Sequence, residues 1–574
     1  MPYLLAAAIA AIALILTPGI FFSFDVTPKL VVLLVACAVA GYPARRSKFL
    51  GLMAATLVSL AISTALSASP ALGFYGSAWR RYGALAQVAV LLLAWSLGAQ
   101  AGSTRAILGI VSIAGAITAA YGIAQYFGWD PILPTAAYHI GEGIWTIVRP
   151  PGTLGYVSYF ATWLVFVVFL SLAVPGRLSK VIAALALVAM LLTGTRAALL
   201  GLAAGAVVWF GWRGVRISRR AIGISLCIAL AFAVAGSAFY VSPLGQPLRS
   251  RARWFADDPW GGARPLLWRD SLRMGIERPL FGYGPETFTA IFPHFESREL
   301  ARAYPDFAHE SPHNIFLDAL VSQGIPGLLL LVSWCALGFT AAWRIRKRHP
   351  AEAAGLAAAL AAGIVCQQFT VFTIPTAVIF FVTIALAEGL DSGAASPPRY
   401  FPFALPLLYF AARIAFADHA LALTQRDLAS GDLTSAATHY QASSRAHGGN
   451  DLWYSRALAA LAGNAASFPI RMQAAQQAVA AAERATGTSE APFNAWYNLS
   501  ALRAGQNDAA GAEQCLRAAI AAHPNWFKPH WTLAQILRLE GRKEEARREA
   551  LLAVDLDNGK HPEVARTSAE KLQE

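Results

Sequence analysis

The feature that most constrains this chain is a succession of apolar runs, each about 15 to 25 residues long, separated by short charged or turn-forming breaks. As a helix, a run of that length matches the ~30 Å hydrocarbon core of a bilayer. Only 14% of the 574 residues are charged and 56% are hydrophobic, so the sequence predicts an all-α, polytopic membrane protein. Reading runs against breaks gives about thirteen spans: 3–22, 27–43, 49–67, 84–102, 106–127, 156–174, 181–194, 197–212, 221–241, 313–343, 353–373, 375–390 and 400–416. The first run, from Tyr3 to Phe22, lacks the basic segment of a cleaved signal peptide and is followed at once by another apolar run, so it reads as a retained helix.

The formal charge of +13 admits nucleic-acid binding as a class, but the basic residues sit in short clusters between apolar runs, where they fix orientation instead. Arg45/Arg46/Lys48, Arg177/Lys180, Arg213/Arg216/Arg219/Arg220 and Arg344/Arg346/Lys347/Arg348 fall on every second connection. The positive-inside bias then places the N-terminus in the cytoplasm, and connections 68–83, 128–155, 195–196 and 242–312, with everything after 416, on the other side. Spans 181–194 and 197–212 are short for a bilayer. Merging them would move the two later basic clusters outside, so the charge pattern favours two spans. Cys37, Cys227, Cys335, Cys366 and Cys515 are scattered, with neither disulfide nor metal-ligand spacing.

Two domains follow: a membrane domain over 1–416, with the long loop 242–312, and an extracytoplasmic helical domain over 417–574. The second is alanine-rich and polar. Trp496, Leu499, Ala512, Leu516, Ala519 and Pro524 stand at tetratricopeptide spacing, and a 34-residue shift carries Leu499 to Leu533, Ala512 to Ala546 and Ala519 to Ala553. Leu423, Ala436 and Tyr440 suggest a weaker earlier copy. Such an α-helical solenoid commonly binds a protein partner; the plainer reading is an unrelated alanine-rich bundle.

Arg80, Arg81, Arg149, Arg196, Arg269 and Arg273 all fall on the predicted outer side, against the positive-inside bias. Guanidinium groups there need carboxylate or phosphate partners, and their planar fork suits a phosphate. For Arg80, Arg81 and Arg273 a local salt bridge or a lipid headgroup is the simpler account. The loop 242–312 is long enough to expect function. It carries arginines in its first half and Glu286, Glu296, Glu299, Asp306 and Glu310 in its second. Segment 264–278 reads as a helix with Trp268, Leu272 and Ile276 on one face and Arg269 and Arg273 on the next, stopped by Pro279, with Gly282 and Gly284 making the following turn. Asp257/Asp258 reads as a solvated turn rather than a metal site. His313 falls where the chain re-enters the membrane, with Pro312 in a first-turn position. An imidazole there either acts as a general base or anchors the helix, and Glu310 either orients it or is solvated.

The block WRDSLRMGIERPLFGYGPETF, followed by SPHNIFLDALVSQGIPGLL, resembles the O-antigen ligase and polymerase family, as do RPPGTLG (149–155), TGTRAALLG (193–201) and GSAWRRYG (76–83). The resemblance covers roughly residues 20–390 and implies a GT-C-like membrane glycosyltransferase of a bacterial inner membrane. It implies an undecaprenyl diphosphate-linked glycan as donor, a lipid A core, glycan or protein acceptor, and neither metal nor cofactor. Carried onto this sequence, the family's histidine is His313, its WRDSL arginine is Arg269 (catalytic and diphosphate-binding), and its other diphosphate arginines are Arg149 and Arg196. Glu310, Arg273 and Arg80 are possible supports. Arginines that neutralise a departing diphosphate would leave only activation of the acceptor hydroxyl, by His313, in one inverting displacement. A polymerase of the same family would show the same residues. A scaffold or lipid-linked glycan transporter with a docking tail is the alternative of another class, although a transporter would carry charges within its spans.

Overall fold

Each predicted span that falls within the described residues contains a helix. The structure, a computed structural model, describes residues 1–574 except 44–46, 141–145, 214–233, 235, 258–261, 394–397, 401–403, 447 and 573–574. Most of span 221–241 lies outside these, as do Arg45, Arg46, Arg216, Arg219, Arg220, Cys227 and Asp258. Lys48–Ala65, Ala101–Tyr126, Ile315–Ile345, Ile374–Ser392 and Ala404–Ser430 are long and apolar enough to cross a membrane. Pro2–Leu14, Thr27–Val39, Ala84–Gly98, Val157–Ala173 and Pro350–Cys366 are shorter apolar helices. The first stops at Leu14 instead of Phe22, because Pro18 and Gly19, the latter at φ +75°, turn the chain. Only two short β pairings occur among the described residues, 41–43 with 398–400 and 139–140 with 147–148.

Apolar side chains point outward as well as inward. Val58, Ile62, Ile113, Ile117, Val207, Phe210, Leu329 and Val332 are all exposed, as expected of helices that face lipid. The interior is packed through small residues instead. Gly201 and Gly205 let Arg196–Arg213 lie directly on Pro350–Cys366: a Cβ on Gly201 would meet the Ala362 carbonyl oxygen at 2.8 Å, and one on Gly205 the Ala358 oxygen at 3.0 Å. Gly355 and Gly363 do the same toward Ala173 and Phe166 on Val157–Ala173. This three-helix contact fixes the starts of two helices whose first residues reach the site described below.

The long loop is folded against the helix Ile315–Ile345. That helix kinks at Gly324, φ +69°, two residues before Pro326. The glycine turn docks beside the kink, with Tyr283 N donating to Val321 O (2.9 Å), Gly284 N to Ser322 O (3.0 Å) and Ile325 N to Pro279 O (2.7 Å). Segment Arg264–Glu277 is a helix as predicted, but it buries Leu267, Asp270, Ser271, Met274 and Gly275, leaving Leu272 and Ile276 exposed.

The chain continues through Ala404–Ser430, one helix that runs across the predicted domain boundary at 416/417. Among the described residues eight further helices follow, from Leu433–Ala446 to Pro562–Leu572. This tail is pinned to the rest of the molecule. Asp418 accepts from Arg81 (3.0 Å) and from the backbone N–H of Ser23 (2.9 Å), and Glu490 accepts from Ala78 N (2.7 Å). On the long loop, Asp306 meets Lys528 and His561, both at 2.7 Å, and Arg302 pairs with Asp555.

Candidate functional site

His313 stands at the meeting point of two cavities. One, of about 440 Å3, is lined by Arg149, Arg196, Arg251 and Arg264 with Tyr156, His309 and His313 among others. The second, of about 370 Å3, is lined by Asp25, Lys29, Trp79, Arg80, Glu310 and again Tyr156, Phe307 and His313. The helices Val157–Ala173, Arg196–Arg213 and Arg264–Glu277 all begin at the first cavity, so their positive dipole ends add to the arginine charge.

The local chain explains how His313 is held. The helix starts at Ile315, capped by Asn314, whose Oδ1 accepts from the backbone N–H of Phe316 (2.9 Å) and Leu317 (3.2 Å). Pro312 therefore lies before the cap and not in the first turn as expected from sequence. His313 itself takes a left-handed φ of +49°, strained for a residue with a side chain. It is fixed from the C-terminal side: Ile315 N donates to Gln367 O (3.0 Å) and Asn314 Nδ2 to Gln368 Oε1 (3.0 Å). Its Nδ1 faces the buried Ser311 Oγ at 3.4 Å. Burial, then the charge of Arg264, then His309 and Arg80, push the imidazole down to about 3, so the ring is neutral at physiological pH.

The first cavity concentrates positive charge. Among the described residues that line it there is no Asp or Glu. Arg251 stacks over Trp254 and Phe255 (3.9 and 4.6 Å to the ring centroids) and donates to Gly194 O at 3.3 Å. Arg196 stacks 3.9 Å over the same Phe255, and Arg149 lies 5.5 Å over Tyr156. Buried Nη1 of Arg251 and Nε of Arg149 have no hydrogen-bond partner among the described residues. Burial and the charges of Arg149 and Arg196 push the Arg251 guanidinium down to about 9, and burial also lowers that of Arg264. These two unpaired guanidinium nitrogens, on Arg251 and Arg149, would accept an anionic partner.

Of the residues singled out from sequence, the structure brings His313, Arg149 and Arg196 to this cavity, and Arg80 and Glu310 to the neighbouring one. Arg269 is not among the lining residues. It is half exposed and held by Asp270 Oδ1 (3.0 Å), Ser297 Oγ (2.8 Å) and Glu299 Oε2 (2.6 Å). Arg273 is more exposed and lies 4.0 Å from Asp270. Arg80 is buried between two carboxylates, Glu286 Oε1 (2.5 Å) and Asp318 Oδ1 (3.3 Å), the local salt bridge that sequence favoured. Burial raises the Glu286 carboxyl despite Arg80, and it raises Glu310 likewise. Sequence reasoning passed over Arg251 and Arg264. A signal for Arg251 was present: Arg251, Trp254 and Phe255 stand at i, i+3 and i+4, one face of a helix.

These elements define a multi-pass helical membrane protein whose helix starts converge on a buried arginine cluster beside a neutral histidine. Residues 181–332 match the family model described as O-antigen ligase, a segment that contains Arg196, Arg251, Arg264, Glu310 and His313. Over 158 residues the chain is 35% identical to a protein of Pseudomonas aeruginosa named O-antigen ligase, covering 28% of this chain and 33% of that one. The chain thus spans about a third of the length of the curated relative it matches.

Proposed function

We propose that this protein is a glycan transferase that moves a glycan from an undecaprenyl diphosphate carrier to an acceptor hydroxyl, from a site on the extracytoplasmic face of a bacterial inner membrane. The observation that carries this reading is the junction of the arginine cavity with the second cavity at His313. The diphosphate sits against Arg149, Arg196, Arg251 and Arg264, which hold its charge as the bond to the sugar lengthens. Arg269, engaged by Asp270 and Glu299, positions the loop instead of touching the donor.

The acceptor oxygen attacks the anomeric carbon from the face opposite the diphosphate. The C–O bond to phosphate breaks, its electron pair leaves on the diphosphate, and the acceptor proton passes to His313, giving inversion. With Nδ1 turned to Ser311 Oγ, Nε2 is the ring nitrogen proposed to take that proton. Burial and the neighbouring cations depress the basicity of His313. An anion seated beside Arg264 opposes the field that suppresses the imidazole, so His313 becomes a stronger base when the donor is bound. No metal is needed in this scheme, because the arginines supply the positive charge. The 417–574 tail, read as a tetratricopeptide solenoid, lies against the loops that frame the site, which supports a role in presenting an acceptor or a protein partner.

Gel profiles of lipid-linked and surface glycans test the reading in cells that lack this protein. Accumulation of full-length glycan on the carrier supports a ligase that serves a lipid A core or protein. Single repeat units on the acceptor support a polymerase. An unchanged profile removes the transferase reading in favour of a scaffold or transporter.

A further inference from the structure

We propose that the second cavity is the acceptor subsite, built for the hydroxyl groups of a neutral terminal pyranose, with Trp79 as the ring platform and Glu310 and Asp25 as hydroxyl acceptors. This inference rests on the transferase reading and specifies the other half of that site.

Charge separates the two cavities. The first is lined by four arginines and, among its described lining residues, no carboxylate. The second contains two carboxylates, Asp25 in the field of Lys29 and Glu310 in that of Arg80. Its cations are already engaged: Arg80 by Glu286 and Asp318, and Lys29 Nζ by the backbone carbonyl of Asp25. A diphosphate entering here would face two carboxylates with no free guanidinium to offset them. Sugar hydroxyls would find acceptors, and a carboxylate-to-hydroxyl bond is stronger than a neutral one.

The shape is fixed by the backbone. Asp25 is seated against Gly155, the last residue of RPPGTLG, at φ +83°; a Cβ there would stand 2.3 Å from Asp25 Oδ2. Trp79 is half-buried, with the Arg80 guanidinium 5.0 Å over its ring. An indole in that position offers the flat apolar surface on which the C–H face of a pyranose packs. Its loop is locked on both sides by the tail, through Ala78 to Glu490 and Arg81 to Asp418. At about 370 Å3 the cavity is in the range of small-molecule sites, and His313 closes its end toward the donor. A hydroxyl bound here is delivered to the base from the side away from the arginines, as inversion requires.

The test uses the full chain in phospholipid nanodiscs, with undecaprenyl diphosphate-linked glycan as donor. In one arm the acceptor is a core oligosaccharide, and in the other a lipid-linked single repeat unit, so that the source of the pyranose is read directly. In whichever arm the wild type turns over, Trp79→Ala and Glu310→Gln are expected to raise the acceptor KM about tenfold and leave the donor KM within about twofold. Trp79→Phe should recover most of the loss, and an unchanged donor KM shows that the variants are folded. A rise in donor KM with acceptor KM unmoved would overturn the assignment, as would no change in either. Donor consumption absent from the wild type in both arms would remove the transferase reading itself, and the subsite with it.

Discussion

Glu296 of the long loop and His523 of the tail meet at 2.5 Å, both almost fully buried, although they lie in separate predicted domains. The backbone carbonyl of Glu296 also accepts from Asn525 Nδ2 (2.6 Å), and its other carboxylate oxygen lies 3.8 Å from His309, which lines the arginine cavity. One side chain of the long loop, Glu296, thus touches both the tail and a residue of the arginine cavity. Removing one partner of a buried pair costs about 3 kcal/mol. Glu296→Ala should loosen the tail by roughly that amount, read as lost hydrogen-exchange protection in residues 519–530. Unchanged protection there would mean the contact does not hold the tail.

Arg264→Ala should raise the donor KM about tenfold to a hundredfold, the worth of a charge-assisted contact. Arg269→Ala should change it by less than about twofold and, as a half-exposed pair, cost stability under about 1 kcal/mol. A larger donor defect in Arg269→Ala than in Arg264→Ala would restore the assignment that the sequence resemblance implied.

The acid limb of kcat/KM, which reports the free enzyme, should lie well below pH 6, because His313 stays neutral down to about 3. Arg264→Ala removes a cationic neighbour and should move that limb upward. The sign for stability is the same as for activity on the acid side. Between the unfolded value of about 6.5 and the folded one, the unfolded chain binds a proton that the folded chain does not, so stability falls as pH falls through that window. His313→Ala should flatten this dependence; pH–stability curves of the two proteins check it.

Gly282→Ala should destabilise the loop by about 2 kcal/mol. The residue has φ +65°, and a Cβ would stand 2.5 Å from the carbonyl carbon of Ser322 at the kinked helix. Thermal unfolding of the detergent-solubilised protein measures it, and an unshifted transition would show that the turn is not docked there.

The helical, multi-pass character was legible because apolar run length is set by the bilayer, independently of how helices pack. The position of His313 was legible for a related reason, since a polar residue at the start of an apolar run must lie at a boundary. That Arg269 lies outside the cavity lining was not legible, for the opposite reason. Which face of Arg264–Glu277 is buried depends on Asp270, whose carboxylate accepts from Ser297 N at 2.9 Å, a contact made across the loop that no local periodicity reports. Arg251 and Arg264 reach the cavity only because the loop folds back over helix starts far from them in sequence.

The central claim, that His313 takes the acceptor proton, is tested most directly by single-turnover transfer of labelled glycan from undecaprenyl diphosphate, comparing wild type with His313→Ala and His313→Gln. The account predicts donor binding within about twofold of wild type and a transfer rate lower by about a hundredfold or more in both variants. Transfer at the wild-type rate in either variant would contradict it.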